Sequence, residues 1–130
     1  MKNTKIDIFE VGIERLDGPS HYVYYQEPTL YFQKLGINNL FSPPEDQIIT
    51  NPDWDAFFNT MEPYHIWRIN KEYGSNLLAM LWWHINIRTN SQEIISCGIN
   101  IFPDQKTESE SSFYRALKYS LNKIIGENVF

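Results

Sequence analysis

The chain has 130 residues, 42% of them hydrophobic and 15% aromatic, with 11 Lys+Arg against 16 Asp+Glu, three His and a single Cys. That apolar content excludes a disordered chain and suffices for one core without disulfides or a structural metal. The net negative charge lies wholly in residues 1–60, which carry four cations and nine carboxylates, while residues 61–130 carry seven of each; a field of this sign repels phosphate backbones and anionic lipid, so no direct nucleic-acid or membrane partner is expected.

A first strand is expected from Thr4 to Arg15, because Ile6 and Ile8, then Val11 and Ile13, recur at period two. The phase slips near Phe9 and Glu10, which predicts a bulge, since a shift of one residue turns side chains to the opposite face. Asp17-Gly18-Pro19-Ser20 reads as a turn, and His21 to Gln26 and Thr29 to Lys34 as two short strands rich in Tyr and Phe, with Pro28 between them. Leu35 to Thr50, with Gly36, Asn38, Asn39 and Pro43-Pro44, reads as a long connection.

Asn51-Pro52-Asp53 predicts a helix start, with Asn51 as the cap and Asp53 and Asp55 at the positive end of the dipole. Trp54, Phe57, Phe58 and Met61 then form one apolar stripe, which Pro63 ends. Tyr64 to Lys71 reads as a strand and Glu72 to Asn76 as a turn. Leu77 to Arg88 and Glu93 to Phe102 predict a hairpin about Asn90-Ser91. With Thr89 opposite Gln92, Arg88 meets Glu93, Ile87 meets Ile94, Trp83 meets Gly98 and His84 meets Cys97, all favourable cross-strand matches or direct neighbours. A last helix is expected from Thr107 or Glu108 to Ile125, opened by the capping box Thr107-x-x-Glu110 and stopped by Gly126.

This order of elements predicts an α+β fold, residues 1–130 forming a single domain. Its core is an antiparallel sheet of about five to six strands with two helices packed mainly on one face. The longest apolar run, Leu77 to Trp83, has seven residues, where a membrane span needs about 20. Asp7 and Glu10 interrupt the stretch where a secretory signal would be apolar, so a cytoplasmic location is expected.

Among constellations that carry chemistry, the sharpest is Cys97 beside His84, since a neighbouring imidazole can lower a thiol pKa and take its proton. The alternative is a packed Cys next to a hydrogen-bonded His, free Cys being among the most buried residue types. No His or Cys spacing forms a metal site and no glycine-rich phosphate loop or nucleophile elbow is present, so neither metal nor cofactor is expected. The remaining signal is recognition. Acidic residues and tyrosines coincide in the N-terminal part, and interface cores rely on a few aromatic anchors with charges that steer encounter. Glu10, Glu14, Asp17, Tyr22, Tyr24 and Glu27 form the expected contact group.

Trp67, Tyr73, Trp83 and the segment Ser96-x-Gly98-x-Asn100-x-Phe102-Pro103 before a terminal helix give residues 54–125 a likeness in which the chain resembles small bacterial immunity proteins that neutralise a cognate toxin. The resemblance implies a cytosolic, non-enzymatic inhibitor that occludes a toxin domain, often a basic nuclease, by acidic and aromatic contacts. A small cysteine-dependent enzyme using Cys97 and His84, and a homo-oligomeric adaptor with open strand edges, are the other two function classes that the residues leave open.

Overall fold

The computed structural model describes residues 5–16, 20–35, 46–50, 52–74, 80–104 and 111–126. Among the described residues, seven strands and two α-helices follow in the order β1 (Ile6–Arg15), β2 (Ser20–Gln26), β3 (Thr29–Leu35), β4 (Asp46–Thr50), α1 (Trp54–Met61), β5 (Glu72–Gly74), β6 (Leu81–Thr89), β7 (Glu93–Ile99) and α2 (Ser112–Ile125). The strands form one sheet in the order β4-β3-β2-β1-β6-β7-β5. Every pairing is antiparallel except that of β5 with β7, so the sheet is mixed and the fold is α+β.

The β6–β7 hairpin keeps the register read from the sequence throughout, from Trp82 against Ile99 to Arg88 against Glu93. Its two-residue turn is held by Thr89, whose N–H donates to Gln92 O at 2.8 Å and whose Oγ1 accepts from Gln92 N at 3.0 Å. The bulge in β1 is present too, between Ile6 and Ile8 rather than near Phe9 and Glu10. The pairing partner β6 sets its place, since Ile6 meets Thr89 and Ile8 meets Arg88.

Five local expectations are corrected. Part of the long connection is a strand, β4, paired with β3 from Thr29–Thr50 to Gln33–Asp46. Tyr64 to Lys71 is not a strand: 3-10 turns at Glu62–Tyr64 and Ile66–Arg68 flank His65, which adopts φ 55°. The strand follows instead at Glu72–Gly74, where a turn is expected from composition. The cap of α1 is Asp53, whose Oδ1 accepts from Ala56 N at 3.0 Å, so the helix opens two residues after the Asn51 position. Helix α2 opens later than Thr107 or Glu108, with Ser111 as its cap; Ser111 Oγ accepts from Tyr114 N at 3.1 Å, and Asp104 Oδ2 accepts from Phe113 N at 3.2 Å. The Thr107–Glu110 box lies outside the described residues, whereas Gly126 ends the helix at φ 85° as expected.

Both helices cover the same face of the sheet. Phe57, Phe58 and Met61 of α1 and Phe113, Leu117, Leu121 and Ile124 of α2 are buried with Phe9, Val11, Ile13, Val23, Leu30, Phe32, Ile85 and Ile87 of the strands. Aromatic rings fill the widest gaps. Phe9 lies 4.8 Å from Trp54 and 5.0 Å from Phe57, and Phe102 is stacked between Trp83 and Tyr114. Trp83 is locked further: its ring occupies the space a Cβ would take at Gly98, and its Nε1 donates to Ile101 O at 2.7 Å. No helix among the described residues is long and apolar enough to cross a membrane.

Candidate functional site

Side chains alternate along a strand, so strand residues next to a core position point to the other face, which neither helix covers. Three rows of such residues cross the sheet. One runs from Ile48 through Tyr31, Tyr24, Glu10 and Asn86 to Ile95; the next from Gln33 through Tyr22, Gly12, His84 and Cys97 to Glu72; the third holds Glu14, Trp82 and Ile99. Ile48, Ile95 and Trp82 are among the most exposed large apolar side chains described, at 63%, 55% and 36%. An apolar and aromatic surface of this kind, edged by carboxylates, is what a docking face requires.

The tyrosines are arranged rather than merely exposed. Tyr24 and Tyr31 stack across β2 and β3 with centroids 5.1 Å apart and planes at 13°. Tyr22 donates its hydroxyl hydrogen to Glu14 Oε1 at 2.5 Å. Burial raises the Tyr22 pKa above its ordinary value and that hydrogen bond raises it further, so the phenol stays neutral and rigidly oriented. Its sequence neighbour His21 points to the covered face, where burial and then the cations Lys34 and Arg15 push its pKa down to about 4. Adjacent residues on opposite faces are thus both held in their neutral forms.

Of the expected contact group, Glu10, Glu14, Tyr22 and Tyr24 come together on this face. Glu27 lies in the β2–β3 turn at the end of the sheet, and Asp17 lies outside the described residues. The hairpin register places Trp82, Ile95 and Ile99 on the face of His84 and Cys97, as found, but sequence reasoning did not join them, or Ile48, to the contact group. The signal for Trp82 was present: two consecutive tryptophans in one strand must face opposite ways, so one of Trp82 and Trp83 had to point outward.

Cys97 and His84 are direct neighbours, as the register predicts. Cys97 is exposed, which corrects the alternative of a packed thiol. The imidazole does not turn toward it. A Cβ at Gly12 would lie 2.2 Å from His84 Cε1, so the ring leans over β1, away from β7, and sits 6.4 Å from the Tyr22 ring. The glycine at position 12 is what admits this pose. The arrangement builds a Tyr–His–carboxylate surface more readily than an armed thiolate, which needs its base within hydrogen-bond reach.

Beside Cys97, strands β5, β6 and β7 leave a cleft of about 380 Å³ on which Glu72, Trp82 and Ile99 also border. A second cleft of about the same size, 380 Å³, lies by the 3-10 turns between Phe58, Trp67 and Arg68. Among the described residues no three His, Cys, Asp or Glu side chains gather as metal ligands would. Comparison with protein-family models, with curated proteins and with solved structures finds no match to this chain.

Proposed function

We propose that the protein is a non-enzymatic binding module, an immunity-type inhibitor that docks its open sheet face on a basic toxin domain and neutralises it in the cytoplasm. The observation that carries this reading is that the face left bare by both helices bears stacked tyrosines, exposed Trp82, Ile95 and Ile48, and the carboxylates Glu10 and Glu14. Rings supply rigid contact area and carboxylates steer a cationic partner. The charge of residues 1–60 adds a long-range field of the same sign.

The test is affinity capture of the tagged chain in lysate of its native host, with mass spectrometry of what low and then high salt retain, followed by kinetics of the captured partner. The double reversal Glu10→Lys with Glu14→Lys is expected to slow association about tenfold or more at low salt and much less at high salt. An on-rate that does not move takes this face out of the interaction.

Exposure of Cys97 favours one second reading, thiol chemistry. Turnover of an activated ester by the native protein, lost in Cys97→Ser, would replace the inhibitor reading; the position of His84 over Gly12 speaks for no turnover.

A further inference from the structure

The cleft beside Cys97 has a chemistry of its own at the β5–β7 end of the sheet. Trp82, Cys97 and Ile99 line it from the open face and Tyr73, Trp83 and Gly98 from beneath, with Glu72 the charged residue among the described lining. On the other side of Trp82, its cross-strand neighbour in β1 is Glu14. Glu72, which lines the cleft, and Glu14, which neighbours Trp82 in register, both put negative charge on this part of the sheet. Among the described residues no lysine or arginine borders the cleft. Arg88 sits at the far end of β6 in an ion pair with Glu93, and Arg15 is turned to the covered face, where it donates to Tyr114 Oη.

Aromatic rings, an aliphatic wall and a carboxylate together match a guanidinium on a hydrocarbon stem. The ring quadrupole attracts the cation, the stem covers apolar surface, and the planar fork matches carboxylate oxygens. A volume of about 380 Å³ is at the small end of ligand sites and suits one long side chain. We infer that this cleft is the anchor pocket for an arginine side chain of the protein partner, an inference that rests on the partner-binding reading above. Lysine fits less well, because its ammonium is more strongly hydrated and has no plane to stack.

The probe is the peptide acetyl-Gly-Arg-Gly-amide, titrated into the isotope-labelled full chain while indole and backbone N–H resonances are followed. Acetyl-Gly-Lys-Gly-amide and acetyl-Gly-Gln-Gly-amide serve as parallel probes. The arginine peptide is expected to move the Trp82 indole resonance saturably, with a dissociation constant on the order of 10 mM, and to leave the Trp54 and Trp67 indoles in place. The lysine peptide should bind about threefold more weakly and the glutamine peptide not at all. Glu72→Gln should weaken the arginine peptide about threefold or more, and Trp82→Leu should abolish the shifts at the Cys97 and Ile99 amides.

No response at Trp82, or an equal response to all three peptides, overturns the pocket. Should Trp82→Leu fail to fold, Glu72→Gln decides alone, and unchanged binding there overturns it as well. The titration needs no partner, so the two readings fail separately. Arginine-peptide binding with an empty capture column removes the inhibitor reading and keeps the pocket. A captured partner whose affinity is unchanged by Glu72→Gln and Trp82→Leu removes the pocket and keeps the inhibitor reading.

Discussion

Alternate residues of the same strands meet two different environments. In β1, Phe9, Val11 and Ile13 point to the helices and are at most 1% exposed, while Glu10, Gly12 and Glu14 point away. In β2, His21 and Val23 are buried under the helices, and Tyr22 and Tyr24 lie half-buried on the other side. The covered face is closed by interlocking rings, from Trp54 through Phe9 and Phe57 to Phe58 and Trp67. The open face has rings as well, but there they keep company with carboxylates and leave edges in solvent. Composition does not separate the two faces; what does is whether each ring has a partner on every side.

If that contrast is right, truncations to alanine on the two faces should differ most of all. Phe57→Ala removes a fully buried ring and should cost about 3–5 kcal/mol in chemical denaturation, whereas Ile95→Ala on the open face should stay within about 1 kcal/mol. Comparable losses at both sites would mean that the open face is covered in solution. The glycines offer a second pair, since a Cβ at Gly98 and one at Gly12 would each lie 2.2 Å from a ring atom. Gly98→Ala strikes Trp83, which is pinned by Phe102 and Ile101, and should destabilise by about 1–3 kcal/mol. Gly12→Ala strikes His84, which can swing into solvent, so its loss should be smaller; equal losses would show that the imidazole is as firmly held as the indole.

The pH response sharpens the comparison at adjacent residues. The His21 pKa is lowered to about 4 in the folded protein, so the unfolded chain binds the extra proton first as pH falls below about 6.5. Stability should therefore decline from neutral pH toward about pH 4, by about 1–2 kcal/mol near pH 5, and His21→Gln should flatten that slope whatever its effect at neutral pH. Tyr22 acts in the opposite range. Its raised pKa means that the unfolded chain loses the phenolic proton first, so stability should fall as pH climbs past about 10 and less so in Tyr22→Phe. The smallest effect belongs to Cys97→Ser, expected within about 0.5 kcal/mol because the thiol is exposed. The same exposure predicts that iodoacetamide labels the native protein; a silent Cys97 would put a cover over that part of the open face.

What was legible in the sequence follows from how local each cause is. The β6–β7 register could be read because a two-residue turn fixes it and each cross-strand pair supports the next. The apolar stripe of α1 and the stop at Gly126 are equally local. Strand β5 was not legible, since three residues carry no period and their pairing depends on β7, where Cys97 N donates to Lys71 O at 2.9 Å. Strand β4 was hidden likewise: Ile48 and Ile49 are adjacent, so its five residues show little alternation, and glycine, asparagine and proline precede them. The Tyr64–Lys71 segment misled because Ile66 and Trp67 favour strands, while Pro63 and the left-handed His65 coil the chain into 3-10 turns.

For the open face, alternation puts Tyr22 and Tyr24 on one side of the sheet and Val23 and Tyr25 on the other, yet leaves undecided which side the helices take. The residues behind the immunity-protein likeness turn out to serve the scaffold. Ser96 Oγ donates to Asn70 O at 2.5 Å, Asn100 Oδ1 accepts from Met80 N and Leu81 N at 2.9 and 3.1 Å, and Phe102 stacks on Trp83. Asn100, at φ 62°, and Phe102 thereby fix the chain where it leaves β7.

The placing of β1 has a consequence for synthesis. It lies inside the sheet, with β2 on one edge and β6 on the other, and these partners leave the ribosome at very different times. The β1–β2–β3 meander can assemble early from near neighbours in sequence, whereas the other edge of β1 has no mate until Leu81–Thr89 has emerged. Contacts so distant along the chain are slow to form, and an unmated strand edge invites wrong partners. The nascent chain therefore passes through a stage at which a chaperone that shields β1 would matter more than at any later time.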